Sequence, residues 1–170
     1  MDDLDLLHDI VKDATRHMDE QGIPQWDEIY PNNEILMKDI ERQELYVIET
    51  EGRLAGSITL SEDQPPEYAS VPWRYVGRAL VVKRLSIAPH CQRRGLASRL
   101  MDFAEETAAA AGYDCIRLMP LPLILYPAVC MRNVDTGRLA SCVSEKGNSI
   151  AMKKRKTITK VFFLAKTVKT

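Results

Sequence analysis

Leu85-Ser86-Ile87-Ala88-Pro89-His90-Cys91-Gln92-Arg93-Arg94-Gly95-Leu96-Ala97-Ser98 is the stretch on which the fold turns. A run of strand-forming residues ends at Pro89, a short loop follows, and Gly95 stands where a helical pattern begins. Helix N-termini present unpaired N–H groups and the positive end of the dipole, so successive amides there hold a pyrophosphate. Gly95 and the small Ala97 let the backbone approach such an anion, and Arg93 and Arg94 add charge. No Gly-Lys-Ser/Thr follows, so this is not a Walker loop. It is not the dinucleotide fingerprint either, which needs G-x-G-x-x-G after the first strand.

Outward from the loop, Leu96, Leu100, Phe103, Ala104, Thr107 and Ala111 make one helical face, stopped by Gly112. Tyr113 to Leu118 is a short strand, and Leu80 to Ile87 a strong one. Strand, turn, helix and strand form a βαβ unit, which implies parallel pairing. Upstream, Leu4, Leu7, Val11, Ala14 and Met18 mark an amphipathic helix, with Asp2 and Asp3 at its start and Gly22 at its end. A second helix is expected at Glu34 to Arg42, with Leu36 and Ile40 inward. Leu45 to Ile48 and Leu54 to Leu60 read as strands joined by a turn at Glu51-Gly52. Asp63 to Trp73 is too rich in proline for regular structure.

Gln-x-x-Gly-x-Ala on a strand-to-helix turn, preceded by Ser-Ile-Ala-Pro and followed by an apolar-faced helix and Gly112-Tyr113, resembles the signature of the GNAT acyl-CoA N-acyltransferases. The resemblance covers about residues 3 to 118. It implies an α/β fold, a mixed twisted sheet with flanking helices, with a domain at residues 1–118 and a divergent tail at 119–170. Acetyl-CoA is the implied cosubstrate, without a metal. Amides around Leu85, Ser86 and Ile87 would receive its pantetheine arm, and Gln92, Arg93, Arg94, Gly95, Leu96, Ala97 and Ser98 would bind its pyrophosphate. The implied reaction is direct acetyl transfer to the amine of a small molecule or peptide. The thioester carbonyl is polarised by backbone donors, and a base takes the amine proton.

The base is less legible. Glu67, Tyr68 and Arg84 lie before or on the central strand, where relatives keep acceptor and base groups, though a loop or salt-bridged position accounts for each. His90 reads as an exposed loop residue. Trp26 and Tyr30 fit an acceptor pocket and core packing equally well.

Bulk properties narrow the classes. A hydrophobic fraction of 45% with 28% charged residues is ordinary for a soluble globular chain. A net charge of −1 supplies no field for nucleic acid or acidic membranes, although Lys153-Lys154-Arg155-Lys156 is a basic cluster. The acidic start, Asp2 and Asp3, is the wrong sign for a signal peptide. The apolar run Leu118 to Cys130 is too short, and too broken by proline, to span a bilayer. Cys91, Cys115, Cys130 and Cys142 lack zinc spacing and suit free thiols in a reducing cytoplasm. A homodimer is left open.

Two departures from the family bear on whether the domain is complete at its ends. The chain opens almost directly in the first helix, so that either the start codon was chosen late or the strand that normally precedes the helix is absent. After Leu118 the family's asparagine loop and Leu-Tyr-Glu helix are missing. Reading codons one base out of register permits pieces of the missing pattern. Across Met119-Pro120 the shifted codon must be alanine, and the one before it permits aspartate, giving Leu-Asp-Ala. Cys130 to Thr136 permits Tyr-Glu-Lys-Cys/Arg-Gly-Tyr, and Ser144 to Lys154 permits a final strand in which the glutamate across Met152-Lys153 is forced. Residues from about Met119 onward therefore read as an out-of-frame tail. It is expected to lack the two closing strands and a tyrosine general acid, and its basic cluster reads as an accident of frame. An acyl-CoA-binding remnant with impaired catalysis is the alternative this leaves.

Overall fold

Leu7, Ile10, Val11 and Ala14 recur at three and four and are all buried, which makes α1, Asp3–Glu20, the helix that lies across the sheet. The structure, a computed structural model, describes residues 3–118 apart from 24–25, 28, 65, 71–72 and 74–76, together with 129–132 and 159–163. Gly22 ends α1 with a φ of +73°, and the Ile23 and Gly22 N–H groups close back on the Met18 and Asp19 carbonyls at 3.0 and 2.9 Å. Helix α2, Asn33–Glu41, is capped by Asn32, whose Oδ1 accepts from the Ile35 N–H at 3.0 Å.

Strands β1, Leu45–Thr50, and β2, Arg53–Ser61, form an antiparallel hairpin. Its two turn residues, Glu51 and Gly52, both have positive φ, the backbone that follows the strand twist. The proline-rich stretch holds one regular piece after all, a 3₁₀ turn at Pro66–Ser70. Strand β3, Ala79–Ile87, pairs antiparallel with β2. Helix α3, Leu96–Ala110, then crosses over to β4, Cys115–Leu118, which pairs parallel with β3. Ala108, fully buried, takes the last inward position of α3; Ala111, expected there, is its exposed C-cap.

Alternation along the strands gives the sheet two buried faces. Ile48, Ile58, Leu60, Leu80, Val82 and Ile116 pack against Leu96, Leu100, Ala104 and Ala108 of α3. On the other face Leu45 and Val47 meet Leu7, Leu36 and Ile40, while Ala79 and Cys115 lie against Trp73. That second face also carries a buried polar row from β2. Ser57 bonds the Ser86 hydroxyl at 3.0 Å, Thr59 donates to Asp39 at 2.9 Å, and Ser61 donates to Glu44 at 2.9 Å.

Two short segments beyond Met119 join the sheet, one at each of its edges. Strand β5, Val129–Arg132, pairs antiparallel with β4, and β6, Thr159–Phe163, pairs antiparallel with β1. They lie at opposite edges of the order β5-β4-β3-β2-β1-β6, not side by side as a closing pair. An open sheet edge templates a strand through backbone groups alone, so the poor apolar alternation of these segments does not prevent pairing.

Candidate functional site

Strands β3 and β4 pair at Ala79, Leu80 and Val81. From Val82 to Ile87 no described strand pairs with that edge of β3. The Ala88 N–H donates to the Ala55 carbonyl at 2.9 Å on the β2 side, so alternation turns the preceding N–H, that of Ile87, toward the open edge. This edge runs directly into the loop that starts α3. Leu85 and Ile87 thus offer backbone rather than side chains, which pack into the core, while the Ser86 backbone turns toward β2 and its hydroxyl is held by Ser57, so Ser86 does not join them at the open edge.

The loop itself is wound into an anion-binding shape. Arg93 has a φ of +59° and Gly95 a φ of +79°, so left-handed residues alternate through it and tilt successive N–H groups toward one side. Gly95 is the N-cap of α3 and supplies no side chain to occupy the first-turn amides, and no acidic residue lies in that turn. A Cβ on Gly95 would meet nothing within 4 Å, so the space above it is open. Arg93 and Arg94 are exposed, and neither forms an ion pair among the described residues. Leu96 contributes its amide alone, since its side chain is 5% exposed in the core. Gln92 ties the loop to the strand end, its Nε2 donating to the Ile87 carbonyl at 3.4 Å.

Strand β3 changes register just before the open edge. Ser57 opposes Ser86 but Thr59 opposes Lys83, so Arg84 and Leu85 together face the single residue Ile58. Arg84 takes a φ of +47° in this bulge. Its Nε and Nη2 donate to Asp39 at 2.7 and 2.6 Å, and its Nη1 donates to the Tyr30 hydroxyl at 2.8 Å. The ion-paired side chains of Arg84 and Asp39 are only 9% and 7% exposed. Burial works to lower the Arg84 pKa, but the hydrogen bonds and charge of Asp39 outweigh it and the net direction is upward. Beside it, burial and then the Arg84 charge push the Lys83 ammonium down.

Of the acceptor and base candidates, Arg84 and Tyr30 are brought together across 54 positions of sequence. Tyr68 is not at the loop. It is buried with its ring 5.2 Å from Trp73, which covers Ala79 and Cys115 at the other end of β3. Glu67 lies in the 3₁₀ turn, and its side chain falls outside the described residues. His90 is exposed on a short 3₁₀ turn, Pro89–Cys91, and Trp26 is partly buried. Asp39 and Thr59 were not foreseen. The signal was a carboxylate at the inward position beside Ile40, since a charge on an apolar stripe calls for a buried partner.

Among the described residues no cluster of histidine, cysteine and acidic side chains is arranged to hold a metal ion, and no helix is long and apolar enough to cross a membrane. Cys91 and Cys115 are buried free thiols; Cys142 lies outside the described residues.

The Acetyltransferase (GNAT) family matches residues 7–121. Among solved structures, a protein assigned as an acetyltransferase from Staphylococcus aureus Mu50 is 28% identical with a TM-score of 0.56, over 69% of this chain and 74% of that one. A GNAT-family acetyltransferase from Streptococcus agalactiae 2603 is 21% identical with a TM-score of 0.59, over 68% of each chain. The PaiA N-acetyltransferase of Thermoplasma acidophilum, solved in complex with coenzyme A, is 18% identical with a TM-score of 0.52, over 68% of this chain and 72% of that one. No curated protein matches the chain significantly. The family match begins within α1 and runs past the end of β4, and the chain belongs to the GNAT acetyltransferase family.

Proposed function

We propose that this protein transfers the acetyl group of acetyl-CoA to an amine of a small molecule or peptide. The observation that carries the reading is the open edge of β3 meeting the Arg93–Ser98 turn, an extended donor edge continuous with an amide-lined anion site. The pantetheine arm extends that edge as a strand would, and the pyrophosphate lies on the α3 amides. In the reaction the amine nitrogen attacks the thioester carbonyl, and the C–S bond breaks. The amine loses a proton to a base, and the thiolate takes one up to leave as CoA. Backbone donors along Leu85–Ile87 stabilise the oxyanion formed on the way. The Arg84–Tyr30 contact lies on the acceptor side in this arrangement, and a reducing cytoplasm suits the two buried thiols.

A second reading, an acyl-CoA-binding remnant with impaired catalysis, is favoured by one observation: after Leu118 the sequence lacks the tyrosine-bearing helix of the family. Calorimetry with acetyl-CoA, paired with release of free CoA thiol in the presence of a panel of amines, separates the two. Binding with amine-dependent thiol release supports the transferase. Binding without release assigns the remnant, and absence of binding removes both.

A further inference from the structure

We propose that Asp39 is a positioning residue for acyl-CoA, clamping the β3 bulge so that Leu85 and Ile87 present their amides to the pantetheine arm. The inference rests on the acyl-CoA reading above and adds to it a residue outside the loop and the strand.

Asp39 reaches both lips of the bulge. One carboxylate accepts the Arg84 fork, at 2.7 Å from Nε and 2.6 Å from Nη2, and also the Thr59 hydroxyl at 2.9 Å. Arg84 is the bulged residue of β3, and Thr59 is the β2 residue that opposes Lys83 next to it. A single buried anion from α2 therefore fixes the two strands at the point where their register slips. Without that anchor, an arginine held at φ +47° has every reason to relax toward ordinary extended backbone. Relaxation removes the extra residue from the bulge, and a one-residue slip turns every following group to the opposite side. Those following residues are Leu85, Ser86 and Ile87. The pyrophosphate loop is held separately, by the Leu96 and Leu100 packing of α3.

The separation gives the test. Binding of CoA and of 3′-phospho-ADP, its pantetheine-free nucleotide half, is measured by calorimetry on wild type, Asp39→Asn and Thr59→Val. The expected result is that Asp39→Asn loses at least about tenfold in CoA affinity, as for a lost charged hydrogen bond, while the nucleotide half changes by less than about twofold. Thr59→Val is expected to show the same selectivity at smaller size, and it carries the test if Asp39→Asn does not fold. Equal loss for both ligands shows a general structural role and overturns the proposal, as does unchanged CoA binding. Wild type binding the nucleotide half and CoA equally well overturns it too, because the arm then contributes nothing. Wild type binding neither ligand overturns the acyl-CoA reading itself, and the clamp with it.

Discussion

Gly56 lies so close against β3 that a Cβ on it would stand 2.4 Å from the Ser86 carbonyl oxygen and 2.6 Å from the Ile87 side chain. The obstacle is backbone, which cannot swing aside. Gly56→Ala must push β2 and β3 apart at Ile87, its partner in register. Overpacking of this kind costs about 1–3 kcal/mol. A thermal melt is expected to fall by about 3–10 °C for a chain of this size. CoA affinity should fall with it, since the displaced segment is the one that faces the pantetheine arm. An alanine variant with an unchanged melt would show that the strands do not lie this close.

Gly95 gives the opposite case. Nothing lies within 4 Å of a Cβ there, so a side chain meets no protein atom, although a φ of +79° adds some backbone strain. Gly95→Asp should therefore leave the fold in place, by circular dichroism, while its carboxylate blocks and repels the pyrophosphate. We expect CoA affinity to drop by more than about tenfold, the scale of a single strong electrostatic contact. Equal affinity in both proteins would remove the loop as the cofactor site.

Much of this was legible in the sequence because local rules and the global fold agree. The apolar spacing of α1 and α3, the Glu51-Gly52 turn and the strand-loop-helix at Leu85 to Ser98 each specify their own geometry. Asp39 and Arg84 were not paired in advance because 45 positions separate them, and nothing local states that a bulge will bring them together. Arg84 read as a β-strand residue; its left-handed φ is imposed by the register slip against β2, a tertiary demand. The same limit applies to β5 and β6, whose pairing is decided by open edges elsewhere in the chain and not by their own alternation.

Glu105 on α3 predicts a pH dependence. Burial, followed by the neighbouring Asp102 and Glu106 carboxylates, raises its pKa from 4.5 to about 7. The folded protein therefore binds this proton more tightly than the unfolded chain. The stabilisation is whole below pH 4.5 and fades as the pH rises through about 7. Glu105→Gln removes the penalty. Because the group is only partly buried, the gain near pH 8 is about 0.5 kcal/mol after screening, or about 1–2 °C in the melt. Near pH 4 the two proteins should melt together. A variant less stable than wild type at pH 8 would refute the assignment.

The last prediction concerns the chain after Leu118, which we propose is out of frame from about Met119. Strand β5 spans Val129–Arg132, yet a one-base shift lets Cys130 to Thr136 encode Tyr-Glu-Lys-Cys/Arg-Gly-Tyr, the end of a family helix. The two descriptions cannot hold for one polypeptide, and the gene decides which belongs to the ancestral domain. Restoring the frame at the Leu118 codon should give Leu-Asp-Ala and then that tyrosine about a dozen residues later. A tyrosine facing the thioester sulfur protonates the departing thiolate, and general acids of this kind contribute ~100- to 10,000-fold. The repaired chain should therefore acetylate amines faster than the present one. Closing strands beside β4 would also bury apolar surface and raise the melting temperature. Sequencing comes first: stop codons in the shifted frame, or no tyrosine codon spanning Cys130 and Met131, end the proposal. If the frame is open and the repaired protein gains neither stability nor CoA-dependent turnover, then β5 and β6 at their opposite edges are the native completion of this sheet.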